Sequence, residues 1–371
     1  MKAIAVHPKN REIGLIEHPA PTLRDAHDVA LRVLDVGVCG TDREICAFEY
    51  GVPPEGSDFL VIGHESLGEV TEVGSAVTRV RPGDLVVPMV RRPCAVESCQ
   101  ACRADRQDFC YTGRFTERGI GGAHGFMTER VVDHEKYMNV VPRELRDVAI
   151  LTEPLTIAEK ALRQIEDVQL RLPWACAFEA GKSAGHCHTA VVLGAGPVGL
   201  LGAMALAASG FAVSVYSREP APNSKSELVE SMGATYVSSQ TTSPEQLAAQ
   251  VGNIDVVYEA AGASSVAFDL MRVLGTNGVF VFTGVPGRKA PISLDADVLM
   301  KRLVLNNQVV FGTVNANRDA FEAAIAHLAE FRRRWPDALR ALITGRFPIE
   351  RHAELLCGAS QGIKNVIAVG S

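Results

Sequence analysis

The chain has 371 residues, of which 47% are apolar and 22% are charged, and its formal net charge at pH 7 is −6. This length exceeds what one hydrophobic core usually serves, so the sequence predicts two globular domains. The balanced composition excludes a disordered chain, and the negative charge argues against nucleic acid as a partner. The basic run Arg332, Arg333, Arg334 is interpreted as a solvated helix face or a subunit edge.

The first part of the chain, to about residue 150, is predicted to be mostly β-structure. Runs such as "DVALRVLDVGVCG" and "GDLVVPMV" alternate apolar and polar residues between turn signals. The opening "MKAIAVHPKNREIGLIEHPA" also alternates and lacks the apolar centre of a signal peptide. We therefore expect a strand at this position and a cytoplasmic protein.

Two separated turns of this region carry metal-ligand chemistry. Cys39 stands in "VGVCGTDREI", and His64 and Glu65 stand in "VIGHESLGEV". Zinc accepts thiolate, imidazole and carboxylate, and three protein ligands leave a fourth position for water or substrate. Considered alone, Cys39 could be a buried thiol of the core, and His64 and Glu65 could be an ordinary polar pair at the surface. The interpretation as a metal site is therefore strengthened by a nucleotide site in the same chain.

Four cysteines follow in "CAVESCQACRADRQDFC". Cys99, Cys102 and Cys110 have the spacing C-x2-C-x7-C, and Cys94, separated from Cys99 by four residues instead of the usual two, is the candidate for the fourth ligand. A site of four thiolates is closed to substrate and would hold a structural zinc; reduced thiols without metal are the alternative. Three other cysteines are expected to be buried thiols: Cys46, Cys176 and Cys357.

The second part of the chain is predicted to bind a dinucleotide. "AVVLGAGPVGLLGAMALAASGFAVSVYSR" reads as buried strand, glycine-rich turn, apolar helix and second strand rather than as a membrane helix. Gly194 allows the turn, Gly196 admits the pyrophosphate, and Gly199 lets the helix pack on the sheet. Pro197 and Val198 complete the motif.

The end of the second strand bears on the choice of cofactor. An NAD site normally has an acidic residue there, whereas this strand ends in Tyr216, Ser217 and Arg218. Arg218 and Ser217 could bind a 2′-phosphate, which favours NADP over NAD. Glu219 follows directly, and the alternative is that Arg218 only pairs with it at the surface. Further strand patterns, "DVVYEAAG", "GVFVFTGVPG" and "LVLNNQVVFGTV", fit a parallel α/β sheet.

In their order along the chain, "CGTD", "GHESLGEV", the cysteine loop and "GAGPVG" resemble the zinc-dependent medium-chain dehydrogenases. "TERGIGGAHGFMTE", "LTEPLTIAEKAL" and "FGTVNANRDAF" resemble the glucose dehydrogenase branch. The resemblance implies an α/β protein with a mostly β GroES-like catalytic domain, residues 1–185 completed by 313–371, and a doubly wound Rossmann domain, residues 186–312. It also implies a homodimer or homotetramer, without a membrane partner.

The same resemblance implies roles for single residues. It places Cys39, His64 and Glu65 at a catalytic zinc, with Glu153 beside it as an alternating or water-mediated ligand. Thr41 matches the hydroxyl residue that contacts the reacting oxygen. Sugar hydroxyls would be bound by Glu117, Asn315, Thr41 and Glu153, and the nicotinamide amide by backbone of Thr283, Gly284 and Val285.

The function expected from the sequence is zinc-dependent oxidation of an aldose such as D-glucose at C1 to the lactone, with hydride transfer to NADP or NAD. A polyol or secondary-alcohol dehydrogenase is the alternative within the same chemistry. A nucleotide-binding protein without catalytic activity is the alternative of another class, and the presence of Thr41 with the three zinc ligands argues against it.

Overall fold

The computed structural model describes residues 1–172, 185–287, 291–359 and 361–370. The chain divides into two compact units. The first comprises Met1–Thr156, Asn315–Ala329 and Leu342–Ser371, and the second comprises Ile157–Val314 and Glu330–Ala341. The first division therefore lies earlier in the chain than the boundary predicted between residues 185 and 186.

Most strands belong to the first unit. In chain order they are β1 (Lys2–His7), β2 (Glu12–Glu17), β3 (Asp28–Gly37), β4 (Leu60–Val61), β5 (Glu65–Val73), β6 (Leu85–Pro88), β7 (Arg91–Arg92), β8 (Thr116–Arg118), β9 (Gly122–Ala123), β10 (Arg130–His134) and β11 (Met138–Val141). The second unit contributes β12 (Thr189–Leu193), β13 (Ala212–Ser217), β14 (Thr235–Ser238), β15 (Val256–Glu259), β16 (Val279–Phe282) and β17 (Val309–Gly312). The first unit then adds β18 (Ile343–Pro348) and β19 (Lys364–Ala368).

The helices lie mainly in the second half of the chain. They are α1 (Gly40–Cys46), α2 (Gln100–Arg103), α3 (Thr152–Gln169), α4 (Pro197–Ala208), α5 (Ser224–Ser231), α6 (Pro244–Val251), α7 (Ser264–Met271), α8 (Ala296–Leu305), α9 (Arg318–Arg334), α10 (Pro336–Ala341) and α11 (His352–Cys357). Several begin with the expected signals: the Asn223 side chain caps α5, and Ser243 followed by Pro244 starts α6.

The first unit is built on a seven-stranded sheet. Its order is β11-β6-β5-β3-β19-β18, and β10 pairs with the other part of β3. The long strand β3 supplies Val29, Leu31 and Val33 to the hydrophobic core. Strand β19 runs antiparallel to β3, so the C-terminal segment returns to the sheet formed by the N-terminal segment.

The second unit contains a six-stranded sheet in which every pair is parallel, in the order β14-β13-β12-β15-β16-β17. Residues of the central strands β12 and β15 are buried, as expected for a sheet covered on both faces. The order reverses at β12, and the crevice outside such a reversal is where doubly wound sheets bind ligands.

Three glycines of the first unit pack backbone against backbone. Gly63, with φ of +91°, precedes His64, and its carbonyl oxygen accepts a hydrogen bond from the Phe126 amide at 2.9 Å. A Cβ atom on Gly119 or Gly125 would overlap that same carbonyl group. The connection between β4 and β5 therefore approaches the segment after β8 without any side chain between them.

No helix in the described ranges combines the length and the apolar character needed to cross a membrane. Cys46 is buried as predicted, whereas the prediction for Cys357 was wrong: it is exposed at the end of α11, where Leu355 and Leu356 face the core instead. Cys176 lies outside the described residues.

Candidate active site and nucleotide site

The two turns that carry Cys39, His64 and Glu65 meet because of sheet register. Strand β3 ends at Gly37, which pairs with Glu65, the first residue of the antiparallel strand β5. Cys39 follows as the N-cap residue of α1. One ligand atom from each of Cys39, His64 and Glu65 lies within 4.8 Å of the others. This trio, here called the metal cluster, matches the chemistry of a zinc site with an open position.

A buried carboxylate orients the metal cluster. Asp42, fully buried on α1, accepts a hydrogen bond from the Cys39 amide at 2.9 Å, and its other oxygen lies 3.3 Å from Nδ1 of His64. Burial disfavours a charged imidazole, but Asp42 and Cys39 together raise the pKa of His64 well above its ordinary value. Since Nδ1 faces Asp42, Nε2 is the nitrogen left for a metal ion, the usual carboxylate-histidine-metal arrangement.

Sequence reasoning missed a lysine in this cluster. The ammonium group of Lys364 on β19 forms an ion pair with the Glu65 carboxylate and donates to the Val38 carbonyl at 3.1 Å. Both side chains of the pair are 1% exposed. Burial opposes the charged form, but Glu65 and Cys39 raise the pKa of Lys364 above its ordinary value. The available signal was one lysine at the start of the apolar run "KNVIAVG".

Glu153 and Thr41 lie on helices that begin in the first unit. Glu153 is in the first turn of α3, where burial first, and then the charges of Glu65 and Asp42, raise its pKa to about 7. It is not part of the trio of ligand atoms within 4.8 Å. Thr41 is half-buried in the first turn of α1. Their catalytic roles stay predictions.

A second polar cluster surrounds Glu117. One oxygen of its carboxylate, Oε1, accepts hydrogen bonds from Arg91 Nη2 at 3.0 Å, Arg91 Nε at 3.1 Å and Asn315 Nδ2 at 2.8 Å. The Arg91 guanidinium also stacks on the Phe115 ring, 3.7 Å from its centroid. Among the residues described, no donor reaches Oε2. Glu117 lines an open pocket of about 640 Å³ together with Tyr50, so Oε2 can accept a hydrogen bond from a ligand.

All four cysteines of the loop come together, including Cys94. Their sulfur atoms lie within 4.8 Å of one another, and Cys99 and Cys110 are 3.8 Å apart. Burial raises the pKa of Cys102 to about 12, whereas hydrogen bonds, first from Thr112, overcome burial and lower that of Cys110 to about 6. A zinc ion bound by the four sulfur atoms would keep all of them as thiolates, so the loop is suited to a closed tetrahedral zinc site.

The glycine-rich turn of the second unit has the geometry that its motif predicts. Gly194 has φ of +106°, and Gly196 is the N-cap of α4. A Cβ atom on Gly199 would overlap the Gly194 carbonyl, which explains why a glycine is needed for close packing. A Cβ atom on Gly196 would meet nothing within 4 Å, so the space before the helix is open to a phosphate. Pro197 and Val198 form the first turn of α4.

A pocket of about 420 Å³ extends from this turn to the end of β13. Its lining includes Gly194, Gly196, Ser217 and Arg218. Lys225 also lines it, with its ammonium group 2.9 Å from the Glu219 carboxylate. The sequence motif did not predict Lys225, because the motif concerns the residues at the end of β13 and Lys225 lies further along the chain, on α5. The pocket is therefore lined by two cationic side chains, of which Lys225 is paired with Glu219, another lining residue.

The loop after β16 holds the remaining predicted cofactor residues. The Thr283 hydroxyl donates to the Glu259 carbonyl at 2.7 Å, and the Gly284 amide donates to the Glu259 carboxylate at 3.1 Å. The neighbouring Val285 is 72% exposed. Glu259 thus fixes the start of this loop, while the role of Thr283, Gly284 and Val285 toward nicotinamide stays a prediction.

Comparison with known proteins decides the family. The "Glucose dehydrogenase C-terminus" family matches residues 146–369, and the "Alcohol dehydrogenase GroES-like domain" family matches residues 25–143. The chain belongs to the glucose dehydrogenase branch of the zinc-dependent medium-chain dehydrogenases. The family and the α/β fold class predicted from the sequence are thereby confirmed.

Relatives of this dehydrogenase align over the full chain. A glucose 1-dehydrogenase of Methanocella arvoryzae is 37% identical, with 100% of both chains covered. One of Metallosphaera sedula is 40% identical, covering 99% of this chain and 98% of the relative. The solved structure of Haloferax mediterranei glucose dehydrogenase in complex with NADP, Zn and gluconolactone is 33% identical, covers 100% of both chains and has a TM-score of 0.87.

Proposed function

We propose that this chain is a zinc-dependent aldose 1-dehydrogenase that oxidises a sugar such as D-glucose at C1 to the lactone and transfers the hydride to NADP. The observation that carries the proposal is that one compact unit holds both the metal cluster and the Arg91-bound Glu117. The first suits activation of a hydroxyl group, and the second suits binding of a polyhydroxylated ring. The similarity to glucose dehydrogenases over the full chain supports the same activity.

The residues of the metal cluster fit a catalytic zinc ion. Cys39, His64 and Glu65 supply one sulfur, one nitrogen and one oxygen ligand within 4.8 Å, a donor set typical of zinc. When bound, zinc supplies the positive charge that makes a neighbouring hydroxyl group more acidic. Cys94, Cys99, Cys102 and Cys110 would hold a structural zinc ion.

Two side chains are proposed to handle the proton of the substrate hydroxyl. Thr41 follows Cys39 by two residues, and its hydroxyl can accept that proton's hydrogen bond. Glu153, a carboxyl group whose pKa is raised mainly by burial, would act either through water or as an alternating zinc ligand. Full activity of Glu153→Gln across the pH range would remove Glu153 from this scheme.

The sugar ring is proposed to be oriented by Glu117 and Asn315. Three N–H groups already donate to Oε1 of Glu117, so Oε2 is the oxygen that would accept from a sugar hydroxyl. Asn315 donates to Glu117 and its own oxygen accepts from the Ala316 amide at 2.9 Å. Its remaining N–H can donate to the sugar, and the two side chains together offer both a donor and an acceptor.

The second unit is proposed to bind NADP. Backbone N–H groups at the start of α4 would bind the pyrophosphate, and Ser217 with Arg218 would bind the 2′-phosphate. The amide of the nicotinamide would be bound by the loop Thr283, Gly284, Val285. NAD is the competing cofactor, and a homodimer or homotetramer in the cytoplasm is the proposed assembly.

A panel of aldoses, polyols and secondary alcohols, assayed with NADP and NAD on zinc-loaded protein, tests the proposal. We expect aldoses to be the fastest substrates, NADP to give the higher kcat/KM, and lactone to be the product. Faster oxidation of polyols or secondary alcohols would favour the alternative dehydrogenase. Zinc-loaded protein that binds NADPH but oxidises nothing in the panel would favour the catalytically inactive nucleotide-binding protein.

A further inference from the structure

The buried ion pair between Lys364 and Glu65 is unusual for its position. Fully buried lysines are rare, because removing an ammonium group from water is costly unless it is paired and hydrogen-bonded. Lys364 has such partners, but its ionic partner is a residue that the proposed function assigns to zinc. A lysine that served only to hold the fold together would not need to contact a metal ligand.

The surroundings of the pair are shaped for it. Gly37, paired with Glu65 across the sheet, has no side chain, and a Cβ atom there would run into Oε2 of Glu65 and Cε of Lys364. The same oxygen, Oε2, is the one that faces the ammonium group. The oxygen of Glu65 that this ion pair does not engage is Oε1.

The negative charges of the metal cluster and of Asp42 exceed the two positive charges that zinc would bring. The Cys39 thiolate and the carboxylates of Glu65 and Asp42 together would carry three negative charges. The side chains of Asp42, His64 and Glu65 are all buried. Zinc would bring two positive charges, and Lys364 brings the third. Without Lys364 the loaded site would keep a net negative charge, which would weaken the acidifying effect on a nearby hydroxyl.

We propose that Lys364 is a positioning residue for the zinc ion: it engages one oxygen of Glu65, so that Glu65 offers the metal a single oxygen, and its fixed charge keeps the loaded site electrophilic. This inference rests on the proposed function. It implies that Lys364 lowers the affinity for zinc while it raises the rate, because its charge repels the metal and it denies the metal a second carboxylate oxygen.

Substitution of Lys364 separates this role from a purely structural one. Lys364→Met is expected to bind zinc at least about tenfold more tightly in chelator competition, and to have a kcat lowered by about tenfold or more. Lys364→Arg should restore both values toward wild type, since arginine keeps the charge. Lys160→Met is the matched control: it removes another buried ammonium group, one that donates to the Val314 carbonyl and lies in the second unit.

Cobalt substitution gives a readout without substrate. The visible bands of the metal cluster are isolated by subtracting the spectrum of a Cys39→Ala, His64→Ala double variant, which retains the four-cysteine site. Lys364→Met should weaken these bands, as expected when Glu65 binds through both oxygens and the coordination number rises. Lys364→Gln, which keeps a polar group at this position, serves as the uncharged variant if Lys364→Met fails to fold.

The outcomes distinguish the inference from the proposed function. Unchanged cobalt bands with unchanged or weaker zinc binding in the uncharged variants would overturn the role of Lys364 and leave the dehydrogenase proposal standing. Wild-type protein that binds cobalt at the metal cluster but oxidises no aldose would overturn the proposed function, while the spectra would still decide the role of Lys364. Wild-type protein that binds no metal at Cys39 and His64 would overturn both.

Discussion

The contact between Asp42 and the metal cluster predicts a large effect of a small substitution. Asp42→Asn keeps the shape of the side chain and an oxygen that can accept from the Cys39 amide. It removes the carboxylate that lies 3.3 Å from Nδ1 of His64. Loss of such a partner of a metal-bound histidine typically lowers metal affinity about 10- to 100-fold, or about 1.4 to 2.7 kcal/mol.

Chelator competition measures this prediction directly. Zinc should leave the metal cluster of Asp42→Asn at lower chelator concentration, while zinc of the four-cysteine site, an internal reference, should leave as in wild type. Asp58→Asn is the matched control, since Asp58 is an exposed carboxylate paired with Lys9 at 2.9 Å. Wild-type zinc affinity in Asp42→Asn would refute the reasoning and leave Asp42 with only its hydrogen bond to the Cys39 amide at the start of α1.

Three further substitutions test other parts of the molecule. Cys94→Ser should abolish zinc at the four-cysteine loop, measured as metal content, and lower the melting temperature while the metal cluster stays loaded. Glu117→Gln should lower kcat/KM for the aldose about 10- to 100-fold through loss of a charged hydrogen-bond acceptor, with an unchanged KM for NADP. Glu135→Gln tests acid stability: although burial opposes it, hydrogen bonds from His27 and two backbone amides lower the pKa of Glu135 from 4.5 to about 2. Because the folded-state pKa is the lower one, this carboxylate stabilises the fold above pH 4.5 by about 3 kcal/mol, and that stabilisation is lost as the pH falls toward 2. Unfolding measured across pH should therefore show a flatter acid limb in Glu135→Gln, and an unchanged limb would contradict the assignment.

Local sequence patterns were sufficient for the parts of the sites that lie within one turn. The run from Gly194 to Gly199 combines an apolar strand, a glycine turn and a helix within one short segment, so its conformation could be predicted residue by residue. The cysteine loop is equally local, and the longer gap before Cys99 does not keep Cys94 from the other three sulfur atoms.

The partners of these residues could not be predicted, because they depend on sheet register and on contacts between distant segments. Lys364 reaches Glu65 only because β19 pairs with β3, and β3 pairs in turn with β5. Arg91 reaches Glu117 through the pairing of β7 with β8. The sequence around a lysine or arginine does not indicate which carboxylate it will pair with. The pattern could predict only that a charged residue lies in an apolar strand.

The backbone contact among Gly63, Gly119 and Gly125 limits how this active-site region can diverge. Gly63 immediately precedes the imidazole ligand, and Gly119 comes two residues after Glu117. No side chain lies between the segments that carry His64 and Glu117, so direct backbone contact fixes the distance between them. Exchanging side chains for larger or smaller ones cannot adjust this distance. Relatives with other substrates would therefore have to differ in the side chains that line the pocket around Glu117 rather than in the distance between these two backbone segments.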